Sequence, residues 1–156
     1  MYNIYVRIVG VKNMAETKDL LNELFVDLFQ HILNLEEKDL QKRGVDLTIS
    51  EVHVLDAVKT THPPTMTNIA NDLMITIGSC TTAIKKLEAK GYVQREKQEK
   101  DGRIVYVYLN EKAEDALRVH YKYHSDMVDN IINELSDEEE QALYRAISKI
   151  IKYFNL

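Results

Sequence analysis

Hydroxyl and ammonium side chains recur on one face of a short predicted helix, and they are the groups in this sequence with the clearest chemical use. Hydroxyls hydrogen-bond to phosphates and to the edges of bases, and ammonium groups neutralise phosphates. The pattern therefore predicts a surface that binds an anionic polymer. Its candidate contact residues are Thr76, Ser79, Thr82, Lys85 and Lys86.

The charge distribution favours the same stretch of chain. The 156 residues carry a formal net charge of −5, which excludes an indiscriminately basic nucleic-acid binder. Between residues 74 and 103, however, seven Lys and Arg residues oppose four Asp and Glu residues. One basic region within an acidic protein is typical of a chain that contacts nucleic acid locally.

Catalytic and redox chemistry find little support in the sequence. The chain has no glycine-rich phosphate loop, no nucleophile elbow and no Cys, His and carboxylate set at catalytic spacing, so we expect neither an enzyme nor a bound cofactor. The lone Cys80 excludes an internal disulfide and favours the cytoplasm. Because Cys80 falls on the apolar face of its helix, a buried hydrophobe is a better interpretation than a thiol switch. No targeting signal or membrane-spanning segment is visible.

Histidines at helical spacing raise a metal site as an alternative. His120 and His124 lie four residues apart on a predicted helix, and His31 and the Glu36-Glu37 pair would lie near them if the first and last helices pack together. Histidines at positions i and i+4 can share a metal ion. Both residues also continue an apolar stripe, so we interpret them as ordinary interior or interface histidines and predict no metal.

Four predicted helices position the polar face. Apolar residues recur at three- and four-residue steps from residue 15 to about 42, which indicates a long amphipathic helix. Thr48 and Glu51 have capping-box spacing at the start of a second helix, which runs to about residue 59. Thr65 and Thr76 are the predicted caps of two short helices joined by a tight turn. The second short helix is predicted to direct inward the apolar residues Ile77, Cys80, Ile84 and Leu87.

A hairpin and two further helices complete the predicted fold. Residues 92–97 and 104–109 read as strands around an Asp101-Gly102 turn. Asn110 is the predicted cap of a helix over 111–134, and Ser136 with Glu139 has capping-box spacing before the last helix. The expected fold is mainly α with a small β-wing, and residues 15–156 form a single domain. It comprises a winged helix-turn-helix reading head over 46–110 and dimerisation helices over 15–43 and 111–156, preceded by a flexible extension, 1–14.

The order of these elements resembles the MarR family of transcription regulators over nearly the full chain. In such a fold the recognition helix enters the major groove of DNA and the wing reaches the backbone or the minor groove. The runs LMITIGSCTT (73–82) and LEAKGYV (87–93) are similar to the FabT-like branch, which represses bacterial fatty-acid biosynthesis genes. The resemblance implies that Arg103 enters the minor groove and that Asp101 orients it. At Asn110 the family usually has threonine, and both residues can cap a helix.

The resemblance also implies a homodimer that binds an inverted repeat in double-stranded DNA, with half-sites about one helical turn apart. In the FabT-like branch it implies repression with an acyl chain, delivered by acyl carrier protein, as corepressor in an apolar tunnel. The candidate effector-pocket residues are His53, Leu28 and Ile32. Two alternatives stay open: a zinc-responsive repressor, since some members of the family sense zinc through such histidines, and an adaptor that binds proteins through a degenerate winged helix.

Overall fold

The computed structural model describes residues 14–98 and 104–155, and the predicted N-terminal extension lies outside them except for Met14. The helices are α1 (Met14–Glu23), α2 (Phe29–Lys42), α3 (Ile49–Thr60), α4 (Met66–Asp72), α5 (Ile77–Ala89), α6 (Glu111–Asn133) and α7 (Asp137–Phe154). Between α5 and α6, strands β1 (Val93–Lys97) and β2 (Val105–Leu109) pair antiparallel. The predicted architecture, mainly α with a small β-wing, is confirmed.

Side-chain caps fix where helices α3, α4 and α5 of the reading head (residues 46–110) begin. The Thr48 hydroxyl accepts from the Glu51 amide at 3.3 Å while the Glu51 carboxylate accepts from the Thr48 amide at 2.9 Å, which completes a capping box. The Thr65 hydroxyl accepts from the Asn68 amide at 3.3 Å. At the start of α5 the Thr76 hydroxyl accepts from the Ser79 amide at 3.1 Å. Each cap satisfies an amide that has no partner within the helix, so the predicted starts are confirmed.

The terminal helices differ in how they begin. Ser136 and Glu139 form the predicted capping box of α7, with the Ser136 amide donating to the carboxylate at 2.9 Å. Asn110 occupies the cap position of α6, but its side chain makes no capping bond. Its amide group donates instead to the carbonyl of Gly91 at 3.2 Å, so the prediction that Asn110 caps α6 through its side chain is wrong. The bond ties the end of β2 to the turn after α5.

The long first helix is not regular throughout. A π-helical segment, Leu24–Leu28, separates α1 from α2, although the backbone remains helical across both junctions. A π turn holds more residues than an α turn and therefore shifts the phase of the apolar stripe. This shift is why the predicted single amphipathic helix over residues 15–42 is only partly correct.

The buried core lies in the reading head and the first turns of α6. It is formed by apolar side chains of α3, α4, α5, both strands and α6, together with Leu40 of α2, and the most completely buried include Leu55, Ile69, Ile84, Leu87, Val107 and Leu117. Along α7 no described residue is buried, and the apolar stripe of this helix is left open by a single chain. The uncovered side chains there include Leu143, Ile147 and Phe154. None of the described helices is both long and apolar enough to cross a bilayer.

Candidate nucleic-acid interface

A tight turn between α4 and α5 sets the direction of the second helix. The amide of Met74 donates to the Asn71 carbonyl at 3.0 Å, and that of Ile75 donates to the Ala70 carbonyl at 2.9 Å. Met74 has φ +53°, a left-handed conformation that is uncommon for a residue with a side chain. Cys80 and Ile84 then pack into the core, which leaves the opposite face of α5 in solvent.

The structure brings the predicted polar contact residues of α5 together on that solvent face. Thr76, Ser79, Thr82, Lys85 and Lys86 are all exposed. The hydroxyls of Thr76 and Ser79 are 2.9 Å apart, and the Thr82 hydroxyl donates to the Gly78 carbonyl at 3.1 Å. Each oxygen keeps accepting capacity, so the face can still bind amino groups of bases. The placement is that of a recognition helix, while the role of each residue stays a prediction.

Only part of the positive charge near α5 is free to meet an anion. The Lys90 ammonium donates to the Glu51 carboxylate at 2.9 Å, and Arg95 of β1 donates twice to Glu88, at 2.9 and 2.5 Å. The Arg95 hydrogen bond holds the pKa of the Glu88 carboxyl below its ordinary value, so this pair stays charged at neutral pH. Within the described residues Lys85 and Lys86 form no ion pair, and they remain the cations of this face.

The β-hairpin is anchored to the rest of the reading head at its base. The Val107 amide donates to the Pro64 carbonyl at 2.9 Å, and Thr65 forms an isolated bridge with Tyr106. This places the wing beside the loop that precedes α4. The predicted wing-tip contacts, Asp101 and Arg103, lie outside the described residues, so their roles stay predictions.

The leading edge of α5 is apolar, a feature that its sequence pattern did not predict. Ile77 was expected in the core but is 53% exposed, and Met74 and Ile75 beside it are 92% and 39% exposed. Ile77 is the first residue after the Thr76 cap, and side chains tilt toward the N-terminus of a helix. It therefore projects past the end of the buried stripe. Its position directly after a cap was the available signal.

Removing the Thr76 hydroxyl should shorten or fray the recognition helix. The hydroxyl accepts from the Ser79 amide at 3.1 Å, so Thr76→Ala is expected to lower the free energy of unfolding by about 1 kcal/mol. Thr76→Ser should retain most of the stability. The control is Thr82→Ala, which removes only a bond to the preceding turn and should stay within about 0.5 kcal/mol. Urea unfolding checks the result, and equal stability of all variants would contradict the cap.

The predicted histidine and effector residues lie apart from α5. Glu36 of α2 contacts His120 and His124 of α6, whereas His31 is exposed and outside this group. His53 of α3 packs its ring 5.7 Å from that of His120. These residues form a second candidate site, where α2, α3 and α6 meet.

The remaining predicted residues have simpler surroundings. Leu28 is 43% exposed at the end of the π segment, and Ile32 lies one turn further along, half-buried. That these two line an effector pocket with His53 stays a prediction. Cys80 is buried, as expected, and its burial raises the pKa of the thiol, which disfavours the reactive thiolate.

Comparison with known proteins gives a consistent set of relatives. A family model described as the MarR family matches residues 47–105, most of the reading head. YkoM of Bacillus subtilis, described as an uncharacterized helix-turn-helix transcriptional regulator, is 29% identical over 139 residues, which are 88% of this chain and 89% of YkoM. A similarly described regulator of Bacillus cereus, BCE33L1758, is 30% identical over 109 residues, covering 69% of this chain and 72% of the relative.

Solved structures extend the similarity to the terminal helices. The crystal structure of Streptococcus pneumoniae FabT in complex with DNA superimposes with a TM-score of 0.77 and 30% sequence identity. The match covers 88% of this chain and 97% of that one. It therefore includes the reading head and the helices on both sides of it.

Proposed function

The chain belongs to the MarR family of winged-helix regulators, which bind DNA and control transcription, and from that premise we propose that it is a dimeric repressor of fatty-acid biosynthesis genes. The observation that carries the proposal is the match to DNA-bound FabT at 30% identity over nearly the whole of that protein. The runs at residues 73–82 and 87–93 cover the turn before α5, both ends of α5 and the turn after it, so they include part of the helix that would contact operator bases.

In the proposed complex the exposed face of α5 lies in the major groove. Ser79 and Thr82 are the candidates for hydrogen bonds to base edges or phosphates, and Lys85 and Lys86 for phosphates or a guanine. The apolar leading edge adds a further feature. Ile77, with half of its surface exposed, suits the methyl group of thymine, the apolar group that the major groove displays. We therefore expect thymine-containing half-sites.

Dimerisation is proposed from the exposed apolar side chains of α1, the π segment and α7. Apolar side chains stay exposed along the π segment and α7, far beyond scattered surface hydrophobes. A groove of about 250 Å³ lies between them, and it is lined by Leu21, Phe25, Lys149, Ile150, Tyr153 and Phe154. The rings of Phe25 and Phe154 meet edge to face at 6.4 Å, so α1, the π segment and α7 present one continuous apolar surface. A second copy of the chain is the occupant that we propose, since a two-fold partner buries the same surface on both copies.

A single lysine should carry about one phosphate contact. Lys86→Ala is expected to weaken binding to all sequences alike and to reduce the slope of log affinity against log salt by about 0.9. Lys122→Ala, on α6 outside the reading head, is the matched control and should leave the slope unchanged. Fluorescence anisotropy over a salt series measures both. An unaltered slope for the Lys86 variant would remove this residue from the interface.

The regulatory role is tested by operator binding with and without the proposed corepressor. Anisotropy is measured with a fatty-acid biosynthesis promoter and with a shuffled duplex, in the presence of long-chain acyl carrier protein or of carrier protein without an acyl chain. The proposal requires specific binding that only the acylated carrier tightens. Specific binding without enhancement would retain the regulator and refute the acyl effector, whereas equal binding to both duplexes would favour the protein-binding adaptor.

A further inference from the structure

A buried carboxylate and two imidazoles meet where α2 packs against α6. Glu36 has no exposed surface; its Oε1 hydrogen-bonds to His120 Nδ1, and its Oε2 lies 3.3 Å from His124 Nε2. No described residue donates a hydrogen bond to Oε2, although it is fully buried. An ionised carboxylate is costly to bury unless positive charge compensates it. A cation bound beside the Glu36 carboxylate would supply this compensating charge.

Hydrogen bonding compensates the Glu36 charge only in part, because His120 reaches one carboxylate oxygen and Oε2 has no hydrogen-bond partner among the described residues. The rings of His120 and His124 have centroids 4.7 Å apart, and two imidazolium ions at that separation repel each other. A divalent metal would compensate Glu36 while both imidazoles stay neutral, which is the form in which histidine binds metals.

The donor atoms already lie close to one another. One ligand atom each from Glu36, His120 and His124 lies within 4.8 Å of the others. Around a tetrahedral zinc ion, with bonds of about 2.0–2.2 Å, donors are separated by about 3.3–3.5 Å, which small side-chain rotations would reach. The His124 side chain is 41% exposed, so an ion can enter from solvent and can keep one coordination position open. Two histidines one turn apart on a helix and a carboxylate from another helix form a donor set that zinc prefers.

We propose that Glu36, His120 and His124 form a binding site for a divalent transition metal of the zinc type, one ion per protomer. The ion would join α2 to α6, and α3 of the reading head packs against both helices. Occupancy would thus fix a dimerisation helix relative to the reading head. The site depends neither on the fatty-acid role nor on an acyl ligand.

Zinc binding to the full chain tests the site directly. Isothermal titration in a chelator-competition buffer is expected to give one Zn²⁺ per protomer, and Co²⁺ in the same site should show the intense visible absorption of a tetrahedral complex. His124→Ala should weaken binding by more than about 100-fold, because loss of a ligand exceeds the ten- to hundredfold effect of outer-shell partners. Zinc should raise the melting temperature of the wild type and leave that of the variant unchanged.

His31→Gln is the matched control, since His31 is exposed on the same helix as Glu36 but lies outside the donor group. It should bind zinc like the wild type. Glu36→Gln keeps the shape of the side chain while removing its charge, and should also lose the ion. Absence of saturable binding by the wild type, or equal binding by the His124 variant, would overturn the site. Operator binding in chelator, measured on the same samples, separates that failure from a failure of the DNA-binding role.

Discussion

Replacing Ile147 with glutamate is expected to convert the proposed dimer into folded monomers and to weaken operator binding by on the order of 100-fold or more. Ile147 lies near the centre of the apolar stripe of α7 and is 44% exposed in the single chain. A carboxylate there costs little in the monomer because it stays in water, but it would be buried without a partner in the dimer. Two linked reading heads gain affinity on an inverted repeat that one head lacks, commonly by 10²–10⁴-fold.

Analytical ultracentrifugation and anisotropy on the same samples measure this prediction. The matched control is Gln141→Glu, which introduces the same carboxylate on another face of α7 where the native side chain is exposed. It should remain a dimer and bind normally. Circular dichroism must show that the Ile147 variant keeps its helices. A variant that stays dimeric with undiminished affinity would place the dimer contact on another surface.

The reading head was predictable from sequence because its signals are local. Thr48, Thr65 and Thr76 each satisfy an amide three residues ahead, so the helix starts depend only on neighbouring residues. The strands follow equally local alternation around a turn. The outward face of α5 then follows from helical periodicity once Cys80 and Ile84 are placed inward.

The errors occurred where distant parts of the chain compete with local preference. Asn110 is a good cap by type, yet its side chain bonds to Gly91, nineteen residues earlier. Glu36 lies in a charged run of α2, and the structure buries it completely against α6. Whether a carboxylate faces water or a histidine 84 residues away is decided by helix packing, which single-sequence periodicity does not contain.

The second candidate site also depends on helix packing that single-sequence periodicity does not contain. The spacing of His120 and His124 indicated that they share a helix face, but their apolar stripe favoured an ordinary interior position. Only the packing of α2 against α6 brings Glu36 to them and leaves His31 in solvent. The choice between a metal and no metal thus depends on a third donor from a distant helix.

Truncating Ile84 should cost most of the stability of the reading head, whereas the same truncation at Ile77 should cost little. Ile84 has no exposed surface, and removing three carbons from a packed core typically lowers the free energy of unfolding by 2–5 kcal/mol. That is a large share of the roughly 5–15 kcal/mol that holds a domain together. Ile77 lies two turns earlier on α5 and is 53% exposed, so Ile77→Ala should stay within about 0.5 kcal/mol. Denaturant unfolding without DNA compares the two variants. Equal losses would mean that Ile77 is buried as its sequence pattern suggests, and that the apolar leading edge of α5 does not face the groove of DNA.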